Sequence, residues 1–74
     1  MNRITAGDIY LAYVAIRQGQ DENEELLDAR SIAFSFEGVM DGVQFNMNNS
    51  RKYRNFVANK PIISIRKIEI KVME

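Results

Sequence analysis

The sequence predicts an α+β fold: a three-stranded, mainly antiparallel sheet built on a central β-hairpin, with helices on one face and the order α-α-β-β-α-β. Three observations carry this expectation. Residues 31–48, SIAFSFEGVMDGVQFNMN, alternate about Asp41-Gly42, a dipeptide suited to the φ > 0 positions of a type I′ turn. Residues 62–73 read as a strand, with clear alternation from Ile68 to Val72. Residues 5–18 and 50–60 carry helix start and stop signals on either side of the hairpin.

The first helix is expected over residues 6–18. Thr5 has the position of an N-cap with Asp8 as its acidic partner, Ile4 and Ile9 have staple spacing, and Gly19 fits the closing left-handed position. Its interior, residues 9–16, is IYLAYVAI, apolar on every side. Such a helix needs cover all round, more than one small sheet supplies. The competing reading is a buried strand, because Ile, Tyr and Val favour strands and short apolar runs are ambiguous. A short second helix is expected from the Asp21-Glu22-Asn23-Glu24 capping pattern through Arg30. The same acidic cluster lacks a calcium loop's spacing, with Leu26 where the Gly is needed and Ile32 where the final Glu is needed.

In the hairpin, Ile32, Phe34, Phe36, Met40, Val43, Phe45 and Met47 share one face. Gly38 is expected opposite Phe45. Asn49 or Ser50 caps a third helix over residues 51–59, whose Tyr53, Phe56 and Val57 form a core-facing stripe, and Pro61 ends it. In the tail the apolar parity changes between Ile63 and Ile65 on one side and Ile68, Ile70 and Val72 on the other. A β-bulge near Arg66 and Lys67 would restore one face; otherwise both faces of residues 62–65 are covered.

Seventy-four residues are expected to form one domain, 1–74, close to the lower size at which a single core suffices. With no Cys and no His, disulfides and a structural zinc site are excluded, as are thiol nucleophiles and the usual neutral-pH general base. No Gly-rich phosphate loop is present. The expectation is therefore a non-enzymatic chain with no catalytic, cofactor or metal residues. No run approaches the roughly 18 apolar residues of a membrane span, and the residues before Ile9 make a poor signal peptide, so a cytoplasmic chain without a membrane partner is expected.

Two surfaces are candidates for function. The apolar excess on the first helix, with Tyr10, Leu11, Val14 and Arg17 as anchors, points to a protein interface. It predicts a small, self-associating protein-binding domain with an unidentified protein partner, an inhibitor or accessory subunit of the kind found among phage and mobile-element products. The alternative is nucleic-acid binding through Arg51, Lys52, Arg54, Lys60, Arg66 and Lys67. It draws on an uneven charge: residues 1–42 hold eight acids and three bases, residues 43–74 two acids and seven bases, summing to zero. The acidic and basic halves facing each other would explain the same asymmetry, and a net-zero chain gains no long-range attraction to a polyanion.

Overall fold

A computed structural model describes residues 9–71. The element order is β1 (Ile9–Gln18), β2 (Glu25–Ala33), α1 (Phe36–Asn49), α2 (Arg51–Val57) and β3 (Ile62–Lys71). The three strands form one antiparallel sheet in the order β2-β1-β3, so β1 is the central strand. The α-α-β-β-α-β order is thereby overturned. The expected first helix is a strand, the expected second helix is a turn and a strand, and the expected central hairpin is a helix. The cap at Thr5 with Ile4 and Asp8, and Val72 in the tail, lie outside the described residues.

The second part of the apolar run at residues 9–16 is explained by its position, whereas Ile9 and Leu11 are exposed. A central strand shows a side chain to each face, and when both faces are covered it reads as continuous apolar sequence without alternation. Ala12, Val14, Ala15 and Ile16 are all buried. β1 turns into β2 through residues 19–24. Gly19 N–H donates to the Glu24 carbonyl at 2.8 Å, Gln20 N–H donates to Glu24 Oε1 at 2.9 Å, and Gln18 Nε2 donates to the Asp21 and Glu22 carbonyls. The acids read as a helix start are thus loop residues. Gly19 closes this turn instead of a helix: a Cβ there would meet the Glu24 side chain.

Pairing between β1 and β2 is interrupted. Tyr13 pairs with Ala33 and Ala15 with Asp28, so Val14 stands opposite residues 29–32 of β2. Ser31 repairs the gap: its hydroxyl accepts from Ala15 N–H at 2.8 Å and donates to the Asp28 carbonyl at 2.7 Å. The bulge destroys period-two alternation, which is why β2 gave no strand signal.

α1 begins at Ser35, whose extended backbone and hydroxyl cap the Gly38 N–H at 2.9 Å. Gly38 lies at a close approach: a Cβ would sit 2.9 Å from the Ala33 Cβ. Gly38 and Phe45 therefore lie on one helix and do not pair across strands. Ser50 ends α1 and starts α2. Its extended backbone breaks the helical run, its N–H donates to the Asn46 carbonyl, and its hydroxyl accepts from Tyr53 N–H at 3.1 Å. α2 is the expected third helix. Asn59, at φ 61°, takes the left-handed position after it, a conformation Asn tolerates, and Pro61 follows.

β3 pairs one-to-one with β1 from Ile65 to Lys71, and its register shifts at Ile63, not at Arg66 and Lys67. The shift puts Ile62 and Ile65 on the face of Ala15 and Arg17, while Ile68 and Ile70 lie opposite Ala12 and Tyr10 on the other face. The parity change in the tail is a change of face. The Tyr53 hydroxyl reaches Asp28 and Arg17, so α2 lies on the Ala15 face. Among the described residues the helix layer packs on β2 and β1, and neither helix packs extensively on β3.

Glycine substitutions separate this fold from the hairpin. A Cβ at Gly42 would meet only the Arg30 carbonyl, at 3.8 Å. In a helix interior Gly42→Ala is expected to raise stability by about 0.5–1 kcal/mol, whereas in a type I′ turn it would lower it. Gly38→Ala is expected to destabilise, through the clash with Ala33. Urea denaturation of both variants reads the two signs.

Candidate functional site

Two features are candidates: a buried polar cluster and an exposed apolar flank. Arg17, Asp28 and Tyr53 converge beneath α2, from β1, β2 and α2 respectively, and all three are buried. Arg17 Nε donates to Asp28 Oδ2 at 2.9 Å, Arg17 Nη2 to the Tyr53 hydroxyl at 3.0 Å, and Arg17 Nη1 to the Lys60 carbonyl at 2.7 Å. The Tyr53 hydroxyl donates to Asp28 Oδ2 at 2.6 Å, and Arg30 N–H donates to Oδ1 at 3.2 Å. The guanidinium also lies 5.8 Å from the Tyr53 ring centre. Burial raises the Tyr53 pKa above the ordinary tyrosine value; the bond to Asp28 adds to the shift and the bond from Arg17 opposes it. An arginine, a carboxylate and a phenol together invite a catalytic reading. Each is instead spent on the others, and no buried side-chain nitrogen or oxygen among the described residues lacks a partner. The cluster is a structural tie.

The four residues expected at a protein interface do not share one surface. Val14 is fully buried and Arg17 is 6% exposed within the cluster. Leu11, 55% exposed, projects from the opposite face to Val14, while Tyr10 is half-buried on Val14's side. Their grouping assumed helical spacing, and a strand separates neighbours by face.

The basic residues are also dispersed. Arg66 pairs with Glu25 at 3.0 Å, reaching across β1 over Ile16, while its neighbour Lys67 projects from the other face, 5.9 Å from the Tyr13 ring centre. Arg54 Nη1 donates to the Met47 carbonyl and Lys60 Nζ to the Phe56 carbonyl. Arg51 and Lys52 are exposed on α2. Of these six, only Arg66 meets an acid of the 21–28 segment by an ion pair.

The apolar flank was not foreseen. Phe36, Met40, Val43 and Met47 follow one another at i, i+4, i+7 and i+11 along α1, a single stripe. Phe36 is 58% exposed, and Met40 and Met47 are also exposed. The stripe leads into a groove of about 450 Å³ between the helices and the start of β3, where Val43 and Met47 meet Val57, Pro61 and Ile62. Phe34, just before the cap, is 66% exposed. The expected hairpin placed these residues on a core face, whereas Val39 and not Phe36 or Met40 is the buried residue of α1. The i, i+4, i+7 spacing was the available signal, and the Asp41-Gly42 turn reading masked it. A second hollow of about 280 Å³ lies between β2 and α2, lined by Leu27, Tyr53 and Phe56 with Arg30 and Lys52 beside them.

No family model, curated protein or solved structure matches this chain. Among the described residues no helix is long and apolar enough to cross a membrane, and no three acidic side chains gather as a metal site.

Removing one partner from the cluster strands the others in the interior. Arg17→Met is expected to cost about 3–5 kcal/mol by leaving the Asp28 carboxylate unpaired, as much as a chain this small has. Tyr53→Phe keeps the ion pair and is expected to cost about 1–3 kcal/mol. Chemical denaturation gives both values, and equal costs would contradict the tie. Because the folded-state Tyr53 pKa lies above the unfolded one, its contribution is complete below about pH 10 and is lost as pH rises through the folded value. Ultraviolet titration of the native protein minus that of Tyr53→Phe is expected to show a phenol ionising later than in urea.

Proposed function

We propose that the chain is a non-enzymatic protein-binding module, of the sort that serves as an inhibitor or accessory subunit. The observation that carries this reading is the exposed stripe of Phe36, Met40 and Met47 on α1, running into the groove at Val57 and Ile62. Large apolar residues exposed singly need no explanation, but a contiguous stripe along one helix flank costs solvation with no return inside the fold. Methionine side chains adapt to a partner's shape, and the phenylalanine supplies a large anchor. The partner's matching surface is an apolar stripe on a helix or extended segment laid along α1. The absence of His and Cys from the chain, and the enclosure of its Arg17/Asp28/Tyr53 cluster, support a binding role over catalysis. The nucleic-acid alternative draws no support from basic side chains that leave both faces of the sheet.

Met40→Glu tests the reading, because the site is exposed and lies mid-helix, where Glu is well tolerated. Its circular dichroism and melting curve should match those of the parent. Its affinity for the partner recovered with the parent chain from host extract should fall at least about tenfold, the loss expected of an anchor position. Equal recovery by the two proteins contradicts the assignment of this flank.

A further inference from the structure

We propose that the outer edge of β3 pairs antiparallel with β3 of a second copy, in a register centred on Ile68. The inference deepens the protein-binding reading by naming one partner, this chain itself, and a surface separate from the α1 flank.

The two edges of the sheet are not equivalent. β2 is blunted by the bulge at residues 29–32, and α1 packs along it. β3 has neither protection. From Ile65 to Lys71 it is regular, with no Gly or Pro, and among the described residues nothing pairs with its outer side. A long regular edge presents a row of backbone donors and acceptors to any strand that fits it.

The side chains of β3 select which strand fits. Opposed residues of an antiparallel pair share a face, so two copies of one strand related by a twofold axis must oppose residues of the same parity. Each allowed register therefore places one residue opposite itself. With Ile68 at the axis, Lys67 faces Glu69 of the second copy and Glu69 faces its Lys67. Arg66 then faces Ile70, Ile65 faces Lys71, and Ile68 meets Ile68. Seven residues of each strand, 65–71, take part.

The neighbouring registers fail on charge. With Lys67 at the axis, lysine meets lysine. With Glu69 at the axis, glutamate meets glutamate and Lys67 meets Lys71. With Arg66 at the axis, arginine meets arginine, and Ile65 at the axis opposes no opposite charges. A register on Ile70 pairs Glu69 with Lys71 but overlaps only residues 69–71 among the described residues. Like charges directly opposed destabilise a ladder and opposite charges stabilise it. Among the described residues, the Ile68 register alone gives a long overlap, two ion pairs and no like pair. Lys67 and Glu69 are both exposed, on the face that carries Tyr13 and Leu11, so forming these pairs requires no rearrangement of the core. The product is a six-stranded antiparallel sheet, β2-β1-β3-β3-β1-β2, with both helix layers on one side.

Sedimentation equilibrium of the whole chain tests this with charge reversals at exposed positions. The parent is expected to dimerise. Lys67→Glu and Glu69→Lys should each weaken the dimer about tenfold or more, because each replaces two opposite-charge pairs by two like-charge pairs. The double reversal should restore it to within about threefold, and the two single variants mixed together should associate more tightly than either alone. Unchanged circular dichroism shows that each variant is folded. A parent that stays monomeric at millimolar concentration overturns the proposal, as do single reversals without effect or a double reversal that fails to rescue. A dimer lost in Met40→Glu but kept in the β3 variants would also overturn it, while moving the second copy onto the α1 flank and leaving the protein-binding reading in place.

Discussion

The structure depends on the pairing of Arg17 with Asp28 beneath Tyr53. Among the described residues, nothing else ties β1, β2, α2 and the turn before β3 together through one set of atoms. In a chain with no disulfide and a small core, most of the interior is Ala and Val, which fill space without fixing direction. The cluster supplies direction. A buried ion pair adds little net stability over well-packed apolar residues, but it penalises every arrangement that leaves one member unpaired. Sliding β2 along β1 would separate Asp28 from Arg17, and tilting α2 would withdraw the Tyr53 hydroxyl from both. The fold's specificity thus rests on polar atoms whose geometry admits one solution.

The bulge in β2 belongs to the same device. Ladder pairing resumes at Asp28 only because residues 29–32 are looped past Val14, and Ser31 satisfies the Ala15 N–H that the loop would otherwise strand. The cost of irregular pairing is offset locally by the two hydroxyl hydrogen bonds of Ser31. One consequence reaches the surface, because the strand that carries the bulge is itself an edge of the sheet and the bulge interrupts that edge.

The last third of the chain, from Ser50 on, was legible and the rest was not, for physical reasons. α2 and β3 are announced by short-range chemistry: a serine cap, a proline stop and an alternating strand. β1 and β2 owe their form to long-range facts. β1 opens as a continuous apolar run, buried on both faces only from Val14 to Arg17 while Ile9 and Leu11 are exposed, and such a run mimics a helix buried on all sides. β2 has three charged residues and a serine and does not alternate, in part because Asp28 and Ser31 are core residues whose partners lie 11 and 16 positions away. Local pattern registers a charge as surface; burial is set by a partner elsewhere. At α1 the Asp41-Gly42 dipeptide was read as a turn, whereas Ser35 caps a helix there. Gly38 brings the helix against Ala33. The glycines were read as turn and strand devices when they lie along a helix.

The same division explains the failure of the first interface set. Tyr10, Leu11, Val14 and Arg17 were chosen for excess apolar character, yet in the central strand Val14 and Arg17 belong to the core while Leu11 is exposed on the face opposite Val14. The surplus the composition implied does exist, displaced onto Phe36, Met40 and Met47 and onto the open strand β3. Two helices of 14 and 7 residues cover β1 and β2 and run out before β3. Ser50 ends α1 and opens α2, whose Tyr53 reaches the cluster, and α2 in turn ends before Asn59 and Pro61. The helix that anchors the interior is thus a short one, and the outer edge of β3 lies beyond the helix layer.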